Sequence, residues 1–231
     1  HLYPSIVGYA DNILVNGVII GLIIIGGIGF LTWEDICEYK WKFKSYRMQS
    51  KLILATTVCL IIFPACFFFF ADFQHLPVKS RFLASVFQSV TPRTAGFNTV
   101  DITMMTEASK VVMILLMLIG GSPGSTAGGM KTTTFAVLLL NAVATFKSQE
   151  HAGAFGRRID DQVIKNAASI AMLYFMMFLA GGIVISTAEG LPILGSLFEA
   201  ASAMGTVGLT LGITPSLHKI SLYVLILLMY M

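Results

Sequence analysis

The chemistry this sequence offers lies in backbone carbonyls rather than in reactive side chains. Two short stretches, Thr94-Ala95-Gly96-Phe97-Asn98 and Thr206-Val207-Gly208-Leu209-Thr210, place their glycines 112 residues apart. A Thr-x-Gly-x-polar strand can aim successive carbonyl oxygens at one axis and so replace the water shell of a small cation. Glycine suits such a strand because its backbone angles are ones that a β-carbon penalises. Covalent catalysis has no comparable support. His1, His75, His151 and His218 are scattered, without metal spacing or a nucleophile partner. Cys37, Cys59 and Cys66 also lack metal spacing and read as small apolar residues. The chain is therefore read as no enzyme and as carrying no cofactor, with a cation as its cargo.

The elements that must position these strands are apolar. The chain is 56% hydrophobic, has a mean hydropathy of +0.81 and only 12% charged residues, which excludes an ordinary soluble domain. Residues 13–33, 52–71 and 166–188 each approach the ~20 apolar residues that a membrane span needs. Residues 111–146 form a fourth apolar region, broken in its middle, and 220–231 a fifth that is too short to cross. Each Thr-x-Gly stretch follows an amphipathic segment, 82–91 or 195–204, that is also too short. The order is span, short re-entrant helix, strand, span, and it occurs twice. Small residues in the short helices (Ser85, Ser89, Ala200, Ala201, Ala203) allow close packing. A helix that enters from outside ends with its partly negative C-terminus in the membrane, where it favours a cation. The fold class expected is an all-α membrane protein built from repeated membrane helix–pore helix–filter loop–membrane helix units of the potassium-channel-like type.

Charge sets the orientation. Lys40, Lys42, Lys44, Arg47 and Lys51 crowd one loop, and Lys147, Arg157, Arg158 and Lys165 another. The positive-inside rule makes both loops cytoplasmic. Alternating spans then put both Thr-x-Gly stretches on the outer side, so charge and parity agree. The basic cluster at 40–47 abuts a span and does not read as a nucleic-acid site.

One span is interrupted by Gly120, Gly121, Ser122, Pro123, Gly124, Ser125, Thr126, Ala127, Gly128, Gly129, Met130 and Lys131. Five glycines and a proline within ten residues cannot remain a regular helix in apolar surroundings without polar compensation. Lying just below a filter, such a segment would cross the ion path. It reads as a gate, with Lys131 as an ionisable residue at membrane depth. A plain structural kink is the bland alternative. A phosphate-binding loop fits poorly, because Met130 separates the glycine from the lysine and no soluble-type strand precedes it.

Taken together, residues 87–98, the 120–131 loop with Thr132-Thr133-Thr134-Phe135 after it, and residues 203–210 resemble the Trk/Ktr/HKT superfamily of potassium transport subunits. Residues 22–30 are similar to the end of an earlier repeat, and the likeness is nearest to the bacterial Ktr type. The resemblance implies four membrane–pore–membrane repeats around a pseudo-fourfold axis, with one filter glycine from each. Residues 1–46 would then hold the second membrane helix of an upstream repeat and a cytoplasmic loop. Residues 47–150 would be a complete repeat with its filter and broken gating helix, and 151–231 the following repeat, truncated in its last helix. The chain starts at His1 and stops within an apolar run, so it is read as a piece of a longer protein. The resemblance further implies a homodimer in the cell membrane on a cytosolic ring of nucleotide-binding regulatory subunits, surrounded by lipid. Arg93 is expected to anchor the structure beside the filter, and Glu199 either to pair with a base or to bond the filter strand. The function expected is potassium translocation, uncoupled or coupled to sodium, through backbone carbonyls under a Gly-rich gate. The alternatives are the membrane subunit of a potassium-pumping P-type ATPase and an unrelated secondary transporter.

Overall fold

A computed structural model describes residues 5–230. It begins with a short turn and Asn12, whose side chain caps the first helix by accepting from the N–H groups of Leu14 and Val15. That helix, α1 (Ile13–Ile28), stops at Gly29, where φ is +87°. The chain then turns by 97° into α2 (Phe30–Tyr39). Residues 13–33, expected as one straight span, are thus two helices, because a left-handed glycine interrupts the hydrogen-bond ladder.

A turn and a long helix, α3 (Met48–Ala71), follow. The short α4 (Val78–Val90) packs back on α3 and leads into the first Thr-x-Gly segment. The apolar region after it divides into α5 (Glu107–Leu118) and α6 (Thr132–Phe146), separated by the Gly-rich loop. A two-residue hairpin, β1 (Gly153–Ala154) with β2 (Arg157–Arg158), precedes α7 (Asp161–Glu189). The second copy then runs through α7, the short α8 (Ile193–Met204), the second Thr-x-Gly segment and α9 (Lys219–Met229). Among the described residues α3 and α7 are each long and apolar enough to cross a membrane, and α1 with α2 qualifies as a bent pair. At 13 and 12 residues, α4 and α8 reach only about 20 Å, well short of a bilayer core.

The main core gathers around the second short helix. Phe198, Ala200 and Ala201 of α8 are fully buried against Met113 and Met117 of α5, Ile185 of α7 and Leu228 of α9. The alanines on α8 let these helices approach closely. A smaller cluster of Leu52, Ala136, Ala144, Ala152 and Ile159 ties the start of α3 to α6 and to the hairpin. There the two basic loops meet, and the rings of Phe43 and Phe155 lie edge to face at 6.4 Å.

Candidate functional site

Both short helices unwind into the same backbone form. At the end of α4, Ala95 and Gly96 donate their N–H groups to the Thr91 carbonyl at 3.2 and 3.3 Å. At the end of α8, the N–H groups of Gly205 and Val207 reach Ala201 and Ser202, both at 2.8 Å. In the first segment φ is +63° at Thr94 and +69° at Gly96, and in the second +52° at Thr206 and +86° at Gly208. The residue between each pair, Ala95 or Val207, keeps negative φ. Such alternation between positive and negative φ differs from the backbone of a regular β-strand. A β-branched residue held at positive φ costs on the order of 1–3 kcal/mol and persists only where the surroundings enforce it. Here the same outlier occurs at the matching threonine of both copies.

Most carbonyls of the two segments are unpartnered among the described residues. Those of Thr94, Ala95 and Gly96, and of Thr206 through Leu209, accept no hydrogen bond from the described residues. Phe97 and Asn98 differ: the Phe97 carbonyl accepts from Thr91 Oγ1 at 2.6 Å, and the Asn98 carbonyl from the Ile6 N–H at 3.1 Å. Gly96, Val207 and Leu209 are buried while Thr206 and Gly208 are exposed, so these free carbonyls are open to a ligand or to water. A desolvated monovalent cation suits them, since carbonyl oxygens are hard, neutral donors.

The two segments touch. A β-carbon on Gly96 would run into the Val207 carbonyl oxygen and stand 3.2 Å from the Val207 carbonyl carbon. Residues far apart in sequence thereby share one wall.

Below them the Gly-rich loop is folded and well bonded. Gly120 N–H donates to the Met130 carbonyl at 2.9 Å, Met130 N–H to Leu118, and Thr132 N–H to Gly121. Ser122 Oγ and Thr132 Oγ1 meet at 3.0 Å in full burial, and Lys131 Nζ caps the Ala127 carbonyl at 2.7 Å. Several of the backbone groups that the broken helix leaves free thus find partners in the loop and its neighbours. Ser125 Oγ bonds the Ser122 carbonyl, while Gly124 and Thr126 are exposed. The loop is seated on the α1–α2 break: Ser122 N–H reaches the Gly27 carbonyl at 3.0 Å, and Phe30 N–H the Gly124 carbonyl at 3.2 Å. A pocket of about 350 Å³ lies beside this junction, lined by Ile25, Gly29, Trp33, Gly124 and Thr126. On its other side the loop reaches the second segment, where a β-carbon on Gly128 would collide with Thr206 Oγ1. Gly129 takes φ +73° next to Gly120.

Two further residues are now placed. Arg93 is buried, at 5% exposure, with Nη2 at 3.5 Å from Thr57 Oγ1 and no carboxylate partner among the described residues. Among the described residues Glu199 meets no base; it bonds the segment after Gly208, which decides between the two options open for it. Three fixing contacts escaped the sequence reading: the Thr91 hydroxyl, the Ser5 hydroxyl that accepts from the Asn98 N–H at 3.0 Å, and buried Asn16, which donates to the carbonyls of Tyr9, Ala10 and Asn12. Only Asn16 had a visible signal, an amide inside an otherwise apolar helix.

Apolar spans and short half-crossing helices, in a unit that occurs twice, define a multi-pass membrane protein of the repeated-unit class. The chain matches the TrkH cation transport protein family over residues 2–231 and belongs to it. It is 37% identical over 238 residues to the potassium/sodium uptake protein NtpJ of Enterococcus hirae, covering 99% of this chain and 52% of that protein. To the Ktr system potassium uptake protein B of Bacillus subtilis it is 35% identical over 236 residues, covering 99% and 53%. Its fold matches the crystal structure of the potassium transporter TrkH from Vibrio parahaemolyticus, with a TM-score of 0.79 at 21% identity, over 98% of this chain and 51% of that one. The chain spans about half the length of the relatives it matches.

Proposed function

We propose that this chain forms two of the walls of a potassium-translocating pore. The carbonyls of Thr94, Ala95 and Gly96 and of Thr206, Val207 and Gly208 act as ligands to the dehydrated ion, with Phe97, Asn98 and Leu209 completing the filter edges. The observation that carries this reading is the repeated pattern of positive, negative and positive φ, with carbonyls that accept no hydrogen bond from the described residues. Two segments in contact leave an axis half enclosed, so further walls come from chain outside these residues. The names of the relatives, potassium/sodium and potassium uptake proteins, favour potassium as the main cargo with sodium as a second cation.

In this reading the 120–131 loop is the gate beneath the filter. Its contact with Thr206 and its seat on the α1–α2 break support the assignment. The meeting of the two basic loops supports their placement together on the cytoplasmic face. That face is where a cytosolic regulatory subunit would dock, and a homodimer in the membrane is the assembly proposed.

The test is uptake of K⁺, Rb⁺ and Na⁺ by the full-length protein in transport-deficient cells, with and without a sodium gradient. Uptake that prefers K⁺ and Rb⁺ over Na⁺, and loses that preference in both Gly96→Ser and Gly208→Ser, is expected. Unchanged selectivity in both variants would overturn the filter assignment.

A further inference from the structure

The two proposed filter strands are held at their far ends by different means. In the second copy the tether is a carboxylate. Glu199, in the middle of α8 and only 4% exposed, accepts from Thr210 Oγ1 at 2.7 Å and from the Leu211 N–H at 2.9 Å through Oε1. Its Oε2 accepts from Thr214 Oγ1 at 2.6 Å. Thr210 Oγ1 in turn accepts from the Gly212 N–H at 2.9 Å, so residues 210–214 are folded around this one side chain. All three donors to the carboxylate are neutral, and no ion pair among the described residues includes it. An ionised carboxylate in such burial is costly unless hydrogen bonds and an opposite charge stabilise it.

The first copy lacks this device. By the matching bonds of Gly96 to Thr91 and of Val207 to Ser202, the residue at the place of Glu199 is Gln88, fully buried but uncharged, its amide nitrogen 3.1 Å from Met113 Sδ. There the far end is tied at Asn98, by Ser5 Oγ and the Ile6 N–H.

We infer that Glu199 is a positioning and specificity-determining residue of the pore: its carboxylate fixes the strand beyond Gly208, and its unbalanced charge is met by the permeating cation. The inference rests on the filter reading of residues 206–210. Two roles, shape and charge, are separable by chemistry. In Glu199→Gln the amide oxygen keeps the Thr210 and Leu211 donors, and the amide nitrogen donates to Thr214 Oγ1, so shape is retained and charge lost. Glu199→Ala removes both.

The experiment measures K⁺ and Na⁺ uptake kinetics of the full-length protein, normalised to the amount in the membrane. Glu199→Ala is expected to lower the K⁺ over Na⁺ preference about tenfold or more. Glu199→Gln is expected to keep that preference within about twofold while the KM for K⁺ rises about threefold or more with little change in maximal rate. A Glu199→Ala protein present at wild-type level with unchanged preference and KM would overturn the inference. Where Glu199→Ala fails to reach the membrane, Thr214→Val, which releases only Oε2, and Glu199→Gln carry the test; wild-type behaviour in both overturns it. Gly208→Ser measured alongside separates the two readings. A shift there with none at Glu199 sinks this inference alone, whereas no shift at Glu199, Gly208→Ser or Gly96→Ser sinks the filter assignment beneath it.

Discussion

Gly120 and Gly129 face each other across the neck of the Gly-rich loop: a β-carbon on either would stand 3.1 or 3.2 Å from the α-carbon of the other. The parallel bridge between Ile119 and Met130 holds the neck closed, just where α5 ends and α6 is about to begin. Loop and scaffold are therefore separable parts.

That closeness makes a clean deletion possible. Removing residues 121–128 joins two residues already in contact, so α5 and α6 need not move. If the loop obstructs the path, K⁺ flux through the full-length protein is expected to rise several-fold. Radiotracer uptake normalised to membrane protein measures it, and equal or lower flux in an inserted variant argues against a gate.

Contact between loop and strand gives a second expectation. Gly128→Ala drives a methyl group into Thr206 Oγ1, so either the loop or the Thr206 side chain must shift. Uptake is expected to change in the single variant and to return toward wild type when Thr206→Ala removes the colliding atoms. Interacting neighbours couple by about 0.5–3 kcal/mol. Additive effects in the double-mutant cycle would show that the two parts act independently.

The filter glycines are not equivalent. Both take positive φ, so either substitution strains the backbone by roughly 1–2 kcal/mol. A β-carbon at Gly208 meets nothing within 4 Å, whereas one at Gly96 strikes the Val207 carbonyl oxygen, itself a proposed ligand. Gly96→Ala is expected to damage both segments and Gly208→Ala one. Competition between K⁺ and Na⁺ should therefore show a larger loss of selectivity for Gly96→Ala, and the reverse order would contradict this geometry.

Much of this was legible in the residues. Hydropathy located the long helices, and the repeated Thr-x-Gly pattern located two segments that share one backbone form. The 97° turn at Gly29 was hidden because residues 13–33 are apolar throughout, and composition does not report a single left-handed angle. The loop's tight folding was hidden for a related reason. Glycine and proline announce a break, but its compensation comes from long-range partners such as Gly27 and Thr132. For Glu199 the sequence allowed two partners, and only tertiary placement of Thr210 and Thr214 chose between them.

Asn16 supports the start of the first span. Buried at 1% exposure, its amide nitrogen satisfies three carbonyls where the chain enters α1. Asn16→Leu removes that donor; the Tyr9 and Asn12 carbonyls keep the N–H groups of Asn12 and Asn16, while the Ala10 carbonyl loses its donor, at about 1 kcal/mol for a lost hydrogen bond. The amount of protein in the membrane and its thermal midpoint in detergent are expected to fall, with ion preference unchanged. A change of selectivity would mean that this end of α1 also shapes the pore.

Thr91 gives the sharpest test of how the first strand is held. Its hydroxyl, fully buried at the end of α4, donates to the Phe97 carbonyl at 2.6 Å, whereas the neighbouring carbonyls of Thr94, Ala95 and Gly96 accept no hydrogen bond from the described residues. Thr91→Val keeps the shape and removes the donor, leaving the Phe97 carbonyl unbonded at a cost of about 1–3 kcal/mol. The strand can recover that cost by rotating the carbonyl toward a passing ion, which adds a ligand and loosens the geometry. Thr91→Val is therefore expected to admit more Na⁺ relative to K⁺ with maximal K⁺ uptake retained, while Thr91→Ser behaves as wild type. If Thr91→Ser is impaired and Thr91→Val is not, methyl packing matters rather than the hydroxyl, and the tether at Phe97 does not set selectivity.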